Sequence, residues 1–407
     1  MNILILSQYF WPEDFRINDV ARKLKLLGHN IEVLSGKPNY PGGKFFYGYK
    51  AWGYELDDYN GIKVHRIPLI SRGKGSINLA INYLSFIFSG IIFAPWYLRK
   101  KKFDLIFVYA PSPLLQVIPA ILLKYLKNIP IVLWVQDLWP ESIVATGYIK
   151  SPVFIKLIRI LVKFCYANID TILVQSRAFI KPILSFQLRK NIFYHPNSVE
   201  SMFYSPANLS APNIDSLNKG FSVLFAGNVG SAQAMETILS AAEKLLEFKK
   251  IKIVILGDGS KIEWLVKEIK TKRLKNIHVE GRYPIETMPI LMRKASVLLV
   301  SLKNQPIFEL TVPNKIQAYL AVGRPIIGSL DGEAAKLIKK ARAGLVAPAE
   351  NDAKLVQAIL KVYRMTPKER NQLGQNARAF FQKNFNEDYL ANNLVRYFNK
   401  TIKKAES

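Results

Sequence analysis

Residues 306–328, PIFELTVPNKIQAYLAVGRPIIG, place the carboxylate of Glu309 and the ammonium group of Lys315 around the turn that precedes a helix. Pro313 suits the first turn of that helix and Gly323 suits its end. Lys315 then lies in the first turn, where a cation opposes the helix dipole unless an anion is bound there. The pattern predicts an anion site, such as a diphosphate site. The alternative is that Lys315 points into solvent.

Two glycine-rich loops follow apolar strands in the second half of the chain, FAGNVGSAQ (225–233) and ILGDGS (255–260). Glycine allows a backbone to approach an anion, and the following helix offers free amides. One such loop is also a common packing device, but two of them predict a nucleotide-type ligand. Neither is a Walker loop, and no Gly-x-Gly-x-x-Gly fingerprint follows the first strand.

Strands and helices alternate along both halves of the chain, which predicts parallel sheets covered on both faces. The opening MNILILSQYF indicates a strand rather than a signal peptide. Residues 191–220 are rich in Pro, Asn and Ser and indicate a linker. We therefore expect an α/β protein with two doubly wound domains, 1–198 and 199–380, with a cleft between them. A C-terminal helix within 381–407 is expected to pack back on the first domain.

The composition limits the classes of partner that the protein can bind. The 407 residues are 50% apolar, sufficient for large cores, and the one cysteine fits a reducing compartment. The four histidines are well separated and no Asp-x-Asp pair occurs, so we expect no metal and no cofactor. The formal charge of +27 requires an anionic partner. Because no zinc-finger or RNA-binding signature is present, we expect phosphorylated substrates and a membrane rather than nucleic acid.

Residues 77–98, INLAINYLSFIFSGIIFAPWYL, are long and apolar enough to span a bilayer and are followed by RKKK. Four polar residues recur at helical spacing, and they predict a helix with one edge that is more polar than the rest: Asn78, Asn82, Ser85 and Ser89. Two interpretations stay open: the segment is a buried helix of the domain, or it is a helix that lies in the membrane interface. A span would divide a sheet that the strand pattern predicts to be continuous. We therefore expect a peripheral protein on the cytoplasmic face of the membrane, with 77–102 as its membrane-associating segment.

Four motifs in order resemble GT-B glycosyltransferases of family 4: YFWPEDFRINDVARKLKLLGHNIEVLSGKPNYPGG, VQDLWPES, FAGNVGSAQAMETILSAA and FELTVPNKIQAYLAVGRPII. Within that family they look most like the WbuB-like N-acetyl-L-fucosaminyltransferases of O-antigen and capsule biosynthesis. The resemblance implies two Rossmann-like domains facing each other across a cleft. It also implies a metal-independent, retaining transfer from a UDP-sugar to a glycan on a polyprenyl diphosphate.

The resemblance assigns roles to residues of this chain. Glu309 is expected at the reacting sugar and Lys315 at the leaving diphosphate, while Asp137 either contacts donor or acceptor or caps the helix that follows. The candidate donor-binding residues are Gly227, Asn228, Gly230, Gln233, Gly257, Asp258, Gly259, Arg282, Pro284, Thr311, Val312, Pro313 and Gln317. The candidate acceptor-side residues are Glu13, Asp14, Arg16, Asn18, Asn39, Tyr40 and Gln136.

The chain departs from the usual family 4 pattern at three places. The second acid of the Glu-x7-Glu motif is Gln317, and Asn228 and Gln233 stand where an Arg and a Lys usually hold phosphate. Gln136-Asp137 stands where the acceptor domain of family members commonly has a His-Asp pair. Two rival functions stay open: a GT-B sugar-nucleotide 2-epimerase, and a degenerate glycosyltransferase that serves as a membrane scaffold. The scarcity of histidine disfavours the first, and the retained acid, lysine and glycine loops disfavour the second.

Overall fold

A computed structural model describes residues 1–73, 75–146, 151–186, 191–205 and 210–406. The chain divides into two compact units. The first comprises Met1–Pro196 together with Leu390–Ser407, and the second comprises Asn197–Tyr389. The chain therefore leaves the first unit once and returns to it through its C-terminal helix.

The first unit is built on an eight-stranded sheet with the order β3-β4-β2-β1-β5-β6-β7-β8. All neighbouring strands are parallel except β3 and β4, which pair antiparallel. The strands are β1 (Asn2–Leu6), β2 (Asn30–Gly36), β3 (Glu55–Tyr59), β4 (Ile62–Ile67), β5 (Leu105–Ala110), β6 (Ile131–Val135), β7 (Thr171–Val174) and β8 (Asn191–Tyr194).

Helices lie on both faces of this sheet because the connections run in opposite directions from β1. The helices are α1 (Arg16–Leu26), α2 (Ser76–Tyr97), α3 (Ile118–Lys127), α4 (Glu141–Thr146), α5 (Pro152–Ala167) and α6 (Ile180–Leu184). Parallel crossovers are right-handed, so α1, which connects β1 to β2, lies on one face. The helices α2, α3 and α5 lead the chain in the other direction and lie on the opposite face.

The core on the α1 face also receives the C-terminal helix, α16 (Glu387–Glu406). Leu394 and Phe398 of this helix are buried in one cluster with Ile17 and Leu24 of α1 and with side chains of β1, β5 and β6. The hydroxyl groups of Thr401 and Thr171 form a buried hydrogen bond of 2.8 Å. Hydrophobic burial on this face thus fixes the end of the chain to the first unit.

The second unit carries a six-stranded parallel sheet with the order β11-β10-β9-β12-β13-β14. Its strands are β9 (Phe221–Ala226), β10 (Ile251–Leu256), β11 (Ile277–Gly281), β12 (Val297–Ser301), β13 (Ile326–Ser329) and β14 (Gly344–Ala347). Its helices are α7 (Asp215–Asn218), α8 (Met235–Lys244), α9 (Ile262–Thr271), α10 (Met288–Lys294), α11 (Pro306–Leu310), α12 (Asn314–Val322), α13 (Gly332–Lys340), α14 (Asp352–Arg364) and α15 (Pro367–Asn384). Separate buried clusters cover the two faces of the sheet.

The predicted alternation of parallel strands and helices is confirmed in both units. Two regions of regular structure were not predicted from the sequence. The hairpin β3–β4 forms an antiparallel edge, and its first strand, ELDDY, carries too few apolar residues to be recognised. The predicted linker 191–220 begins with β8, which pairs with β7, and contains α7, so its first residues belong to the first sheet. Pro and Asn mark the boundary after His195, where the chain enters the second unit.

Candidate functional site

The glycine loops of the second unit lie at the point where the strand order reverses. The chain passes from β9 to β10 on one side, and β12 lies on the other side of β9. In open parallel sheets, ligands bind beyond the carboxyl ends of the strands at such a reversal. The loop after β9 begins with Gly227, and the loop after β10 contains Gly257 and Gly259. The two loops that the sequence singles out are therefore neighbours.

Backbone contacts hold these loops together. The N–H of Val229 donates to the carbonyl of Asp258 over 2.9 Å, and the N–H of Lys261 donates to the carbonyl of Val229 over 3.0 Å. A side chain on Gly257 would collide with the backbone of Gly227, and Gly257 has a φ of +154°. The glycines at this position thus permit close packing of two loops. That packing shapes the surface that an anion would approach.

The ammonium group of Lys315 lies beside the first glycine loop. Its Nζ is buried and has no hydrogen-bond partner in the described part of the chain. The atom lies 3.9 Å from the centroid of the Phe225 ring and 3.5 Å from the point where a Cβ on Gly227 would stand. Burial lowers the pKa of Lys315 to about 7. The alternative that Lys315 points into solvent is excluded for its ammonium group.

The helix that carries Lys315 begins and ends where the sequence predicts. Pro313 precedes its first residue, Asn314, and Gly323 terminates it with a φ of +76°. The hydroxyl of Tyr319 accepts from the N–H of Ala226 over 3.0 Å and so fixes α12 to the end of β9. The same contact positions Lys315 against the first glycine loop.

Glu309 lies in the short helix α11, just before α12, and its side chain is exposed. The backbone of Glu309 presses against Gly332, where any side chain would collide with it. Gly332 has a φ of +70°, so both its conformation and the close contact require glycine. The start of α13 therefore fixes the backbone of Glu309 while its carboxylate faces outward.

Gln317 is fully buried on α12. In the amide orientation that satisfies both of its polar groups, its nitrogen donates to the carbonyl oxygens of Pro313 (3.0 Å) and Asn314 (3.2 Å). This geometry ties Gln317 to the start of its own helix. These hydrogen bonds stabilise the start of α12. The ribose contact implied by the family pattern stays a prediction.

The remaining donor-side candidates divide into two groups. Gln233 accepts from the N–H of Gly230 over 3.0 Å, and Asp258 accepts from the N–H of Gly259 over 2.7 Å, so both side chains stabilise their own loops. Asp258 is nevertheless exposed, as are Asn228, Arg282 and Pro284, and all four are accessible to a ligand at the strand ends. Val312 is buried, whereas Thr311 and Pro313 are partly exposed at the turn before α12.

In the first unit the strand order reverses between β1 and β5, and a polar cluster that the sequence analysis missed lies there. The hydroxyl of Tyr83, on α2, neighbours Ser112 and Tyr9, and the charges of Arg72 and Asp137 act on it. Burial raises the pKa of Tyr9 far above its ordinary value. Tyr83 and Arg72 carry no motif, and only the folding of α2 over the strand ends brings them to the predicted acceptor side.

Asp137 follows β6 and belongs to the edge of this cluster. Burial raises the pKa of its carboxyl group to about 6, while hydrogen bonds from Ser142 and from the backbone of Leu138 lower it in part. These bonds join Asp137 to the start of α4, so the capping role and the proximity to Tyr83 are both present. Gln136 is partly exposed, and its backbone N–H donates to Ala110 over 3.1 Å.

The acceptor-side candidates after β1 and β2 form a brace, a set of hydrogen bonds that joins the loop after β1 to the loop after β2. Glu13 is buried and accepts from the backbone N–H groups of Asn39 (2.8 Å), Tyr40 (2.7 Å) and Phe10 (3.2 Å). Burial raises the pKa of Glu13 to about 7, and these three donors lower it in part. Asn18 is also internal, since its amide donates to the carbonyl of Glu13 over 2.7 Å. These hydrogen bonds hold the two loops together, and a role of these residues on the acceptor side stays a prediction.

The other candidates on this side differ in exposure. Asp14 is exposed, and Arg16 pairs with Asp19 at 3.3 Å within α1. The Tyr40 ring is partly exposed and lies 5.1 Å from the guanidinium carbon of Arg72. Tyr40 and Arg72 thus form the outer edge of the polar cluster.

Replacing Glu13 with Ala is expected to lower the free energy of unfolding by about 1–3 kcal/mol, because three buried backbone donors lose their acceptor. Chemical denaturation followed by circular dichroism measures the change. Asp14→Ala, at the exposed neighbouring position, serves as the matched control and should stay within about 0.5 kcal/mol. Equal stability of the Glu13→Ala protein and the parent would show that the brace contributes nothing.

In the described residues, no group of three or more His, Cys, Asp or Glu side chains is arranged to hold a metal ion.

Comparisons with known proteins show which proteins the chain is similar to. Residues 220–365, within the second unit, match the model of the family described as glycosyl transferases group 1. The chain is 27% identical over 327 residues to the probable glycosyltransferase WbjE of Pseudomonas aeruginosa, covering 78% of each protein. It is 22% identical over 346 residues to Escherichia coli K12 WcaI, whose name assigns it to colanic acid biosynthesis as a glycosyl transferase. That match covers 79% of this chain and 82% of WcaI.

A solved structure, Anabaena HepE in complex with UDP, shares the fold with a TM-score of 0.69. It is 12% identical and the match covers 98% of this chain and all of HepE. The chain is an α/β protein with the GT-B fold, so the fold prediction is confirmed. Its second unit resembles the glycosyl transferases of group 1, whereas the assignment to the WbuB-like group remains a hypothesis.

Proposed function

We propose that the protein is a glycosyltransferase that takes its sugar from a UDP-sugar bound to the second unit. The observation that carries this proposal is the ammonium group of Lys315, buried without a hydrogen-bond partner in the described part of the chain, beside Gly227 at the reversal of the strand order. A buried cation without a partner is costly, and a bound diphosphate would compensate it. Anabaena HepE, which shares the fold, was solved with UDP bound, and this supports the choice of nucleotide.

The transfer breaks the anomeric C–O bond of the donor sugar, and the bonding electrons remain on UDP. Lys315 and the backbone amides of the glycine loops would stabilise that charge, and they need little rearrangement because the fold already holds them in place. An acceptor hydroxyl forms the new C–O bond, and its proton passes to the departing UDP or to solvent. Glu309, which points outward next to α12, would hold hydroxyl groups of the sugar or stabilise positive charge on its ring. The similarity to family 4 favours retention of the anomeric configuration.

For the acceptor we propose a glycan carried on a polyprenyl diphosphate, in a polysaccharide pathway that uses an amino sugar such as N-acetyl-L-fucosamine. The name of WcaI, which refers to colanic acid, supports a polysaccharide. The acceptor would meet the polar cluster of Tyr9, Tyr83 and Arg72 in the first unit. A lipid carrier also requires the protein to reach a membrane on its cytoplasmic side.

Helix α2 offers a surface for that contact. Among the described residues, Ser76–Tyr97 is the one helix with the length and composition to cross a membrane, and 33% of its 18-residue apolar window is buried. Two residues of its polar edge face inward: Asn82 accepts from the amide of Gln8 over 2.7 Å, and Ser89 is buried. Asn78, near the start of the helix, is exposed. The large exposed side chains of the helix are all apolar, namely Ile77, Ile81, Leu84, Phe88, Ile92 and Trp96. We propose that this face contacts lipid while the inner edge remains in the fold.

The experiment that tests the function is a thermal-shift screen with UDP-, GDP-, dTDP- and ADP-sugars, followed by an assay for released nucleotide. A UDP-sugar at about one hundred times its dissociation constant should add about 2.7 kcal/mol of stability. A glycosyltransferase should release UDP slowly from that donor without an acceptor. Isomerisation of the sugar would instead indicate an epimerase, and the absence of both reactions would indicate a scaffold.

Activity is expected to survive an excess of EDTA, because Lys315 and the loop amides take the place that a metal ion has on a diphosphate in other enzymes. Turnover of the UDP-sugar before and after chelation measures this. Activity that disappears with EDTA and returns with magnesium or manganese would contradict the prediction.

A further inference from the structure

Helix α5 exposes a row of large apolar side chains that the core of the first unit does not use. Its buried residues are Val162, Cys165 and Tyr166, which fasten one edge of the helix. Six others are between 42% and 67% exposed: Val153, Phe154, Leu157, Ile160, Leu161 and Phe164. Single exposed apolar residues are normal, but a row along one helix marks an interaction surface.

This row belongs to the same layer of helices as the exposed apolar face of α2. Both helices pack against the short turn Leu114–Val117, and α3 lies in the layer with them. On α3, Tyr125 and Leu126 are exposed as well. Because α2, α3 and α5 lead the chain in the same direction across the sheet, right-handed crossovers place all three on one face. The apolar residues of α2 and α5 therefore form parts of one outer surface.

The charges of this surface are positive. Between Pro152 and Ala167 the helix contains Lys156, Arg159 and Lys163 and no acidic residue. Lys156 and Lys163 are exposed, and neither has a carboxylate partner in the described ranges. Helix α2 contains no charged residue and is followed by the exposed Arg99, Lys100 and Lys102. Apolar side chains with basic neighbours fit the interface of an anionic bilayer, where the rings enter the acyl boundary and the ammonium groups meet phosphate.

We propose that α5 docks on an anionic lipid bilayer as a second membrane-binding element beside α2. The helix would lie in the plane of the interface, with its exposed row about 5–10 Å deep and its buried edge held by the sheet. This proposal extends the contact beyond 77–102 and is independent of the proposed glycosyl transfer. A second copy of the chain is the competing occupant, but two such faces would bring the unpaired lysines of both copies together.

A fluorescent probe at Leu157 tests the insertion directly. Burial raises the pKa of the Cys165 thiol to about 12, so a thiol-directed, environment-sensitive dye should label an introduced Leu157→Cys selectively. With vesicles of phosphatidylglycerol and phosphatidylethanolamine, the emission of the dye should shift to the blue and be quenched by spin labels in the acyl chains. Leu26→Cys on α1, on the opposite face of the sheet, is the matched control and should show neither change.

Introducing negative charges into the row tests its contribution to binding. The double variant Leu157→Glu/Ile160→Glu should bind the same vesicles at least about tenfold more weakly in cosedimentation, because two apolar side chains are lost from the interface and two like charges enter it. Leu26→Glu should bind within about twofold of the parent. Lys156→Gln/Lys163→Gln should weaken binding to anionic vesicles and leave binding to phosphatidylcholine vesicles unchanged.

The double glutamate variant changes exposed residues only, and its UDP-induced thermal shift should equal that of the parent, which separates this proposal from the proposed function. Unchanged vesicle binding of this variant, or a dye at position 157 that is insensitive to vesicles, would overturn the proposal. A parent dimer in analytical ultracentrifugation that the glutamate variant dissociates would assign the row to a second copy instead.

Discussion

Replacing Lys315 with Met is expected to weaken UDP binding by about 10- to 150-fold, which corresponds to about 1.5–3 kcal/mol for a charge-assisted contact. Methionine keeps an unbranched apolar chain of similar length, so the packing against Phe225 should persist while the charge is lost. Isothermal titration calorimetry with UDP measures the change. Lys361→Met, which removes an exposed cation of the same unit on α14, is the control and should have little effect.

The pKa of Lys315 gives this prediction a dependence on pH. In the ligand-free protein burial holds the pKa at about 7, and a bound diphosphate should raise it. Below about pH 7 the lysine is already charged, whereas above it binding must take up a proton. Affinity should then fall by up to about tenfold per pH unit until the pKa of the complex is reached. The titration of UDP itself is common to parent and variant, so the difference between them isolates Lys315.

The burial of Lys315 also makes the stability of the ligand-free protein depend on pH, and here the change has the opposite sign. The unfolded lysine titrates at its ordinary value of 10.5, above the folded pKa. Between these values the unfolded state binds more protons, so stability rises with pH across this window, and the cost of the buried charge is complete below it. Lys315→Met should therefore raise the melting temperature without UDP and reduce the UDP-induced shift. A variant that melts lower and still binds UDP normally would make the lysine structural.

Glu309→Gln is expected to lower turnover by roughly two orders of magnitude or more while UDP affinity stays nearly unchanged. The side chain is exposed and remains isosteric, so the fold should not respond, and the proposed nucleotide contacts are those of Lys315 and the glycine loops. Steady-state turnover of the best UDP-sugar, together with UDP titration, measures both quantities. Because Glu309 would act on the sugar, the loss should appear in kcat rather than in nucleotide binding.

Glu333→Gln offers the matched control, since this carboxylate lies in the first turn of α13, next to Gly332, which contacts the backbone of Glu309. Its turnover should stay within about threefold of the parent. If Glu309→Gln retained full turnover, Glu309 would have no role in the reaction and the sugar would have to lie elsewhere.

The sequence by itself determined the alternation of strands and helices, the two glycine loops and the helix that carries Lys315. These features follow from local physics: apolar runs form buried strands, proline and glycine delimit α12, and glycine permits the loop conformations. Their positions could be predicted because each signal lies within a few neighbouring residues. The hairpin β3–β4 escaped because its edge strand is held by pairing with β4 rather than by its own apolar pattern.

Only the tertiary structure decided what the individual side chains do. Glu13 and Gln317 carry polar groups that suit a ligand, yet backbone groups of their surroundings use them. Tyr83 and Arg72 became site candidates because α2 crosses the strand ends, a contact between distant segments that no local motif records. Asn82 and Ser89 of α2 turned inward and the apolar row of α5 outward, because the sheet has a limited apolar face to cover and buried amides find partners there. Burial of such groups depends on packing between segments that are far apart in sequence, and hydrophobic periodicity reports only that a helix has two sides.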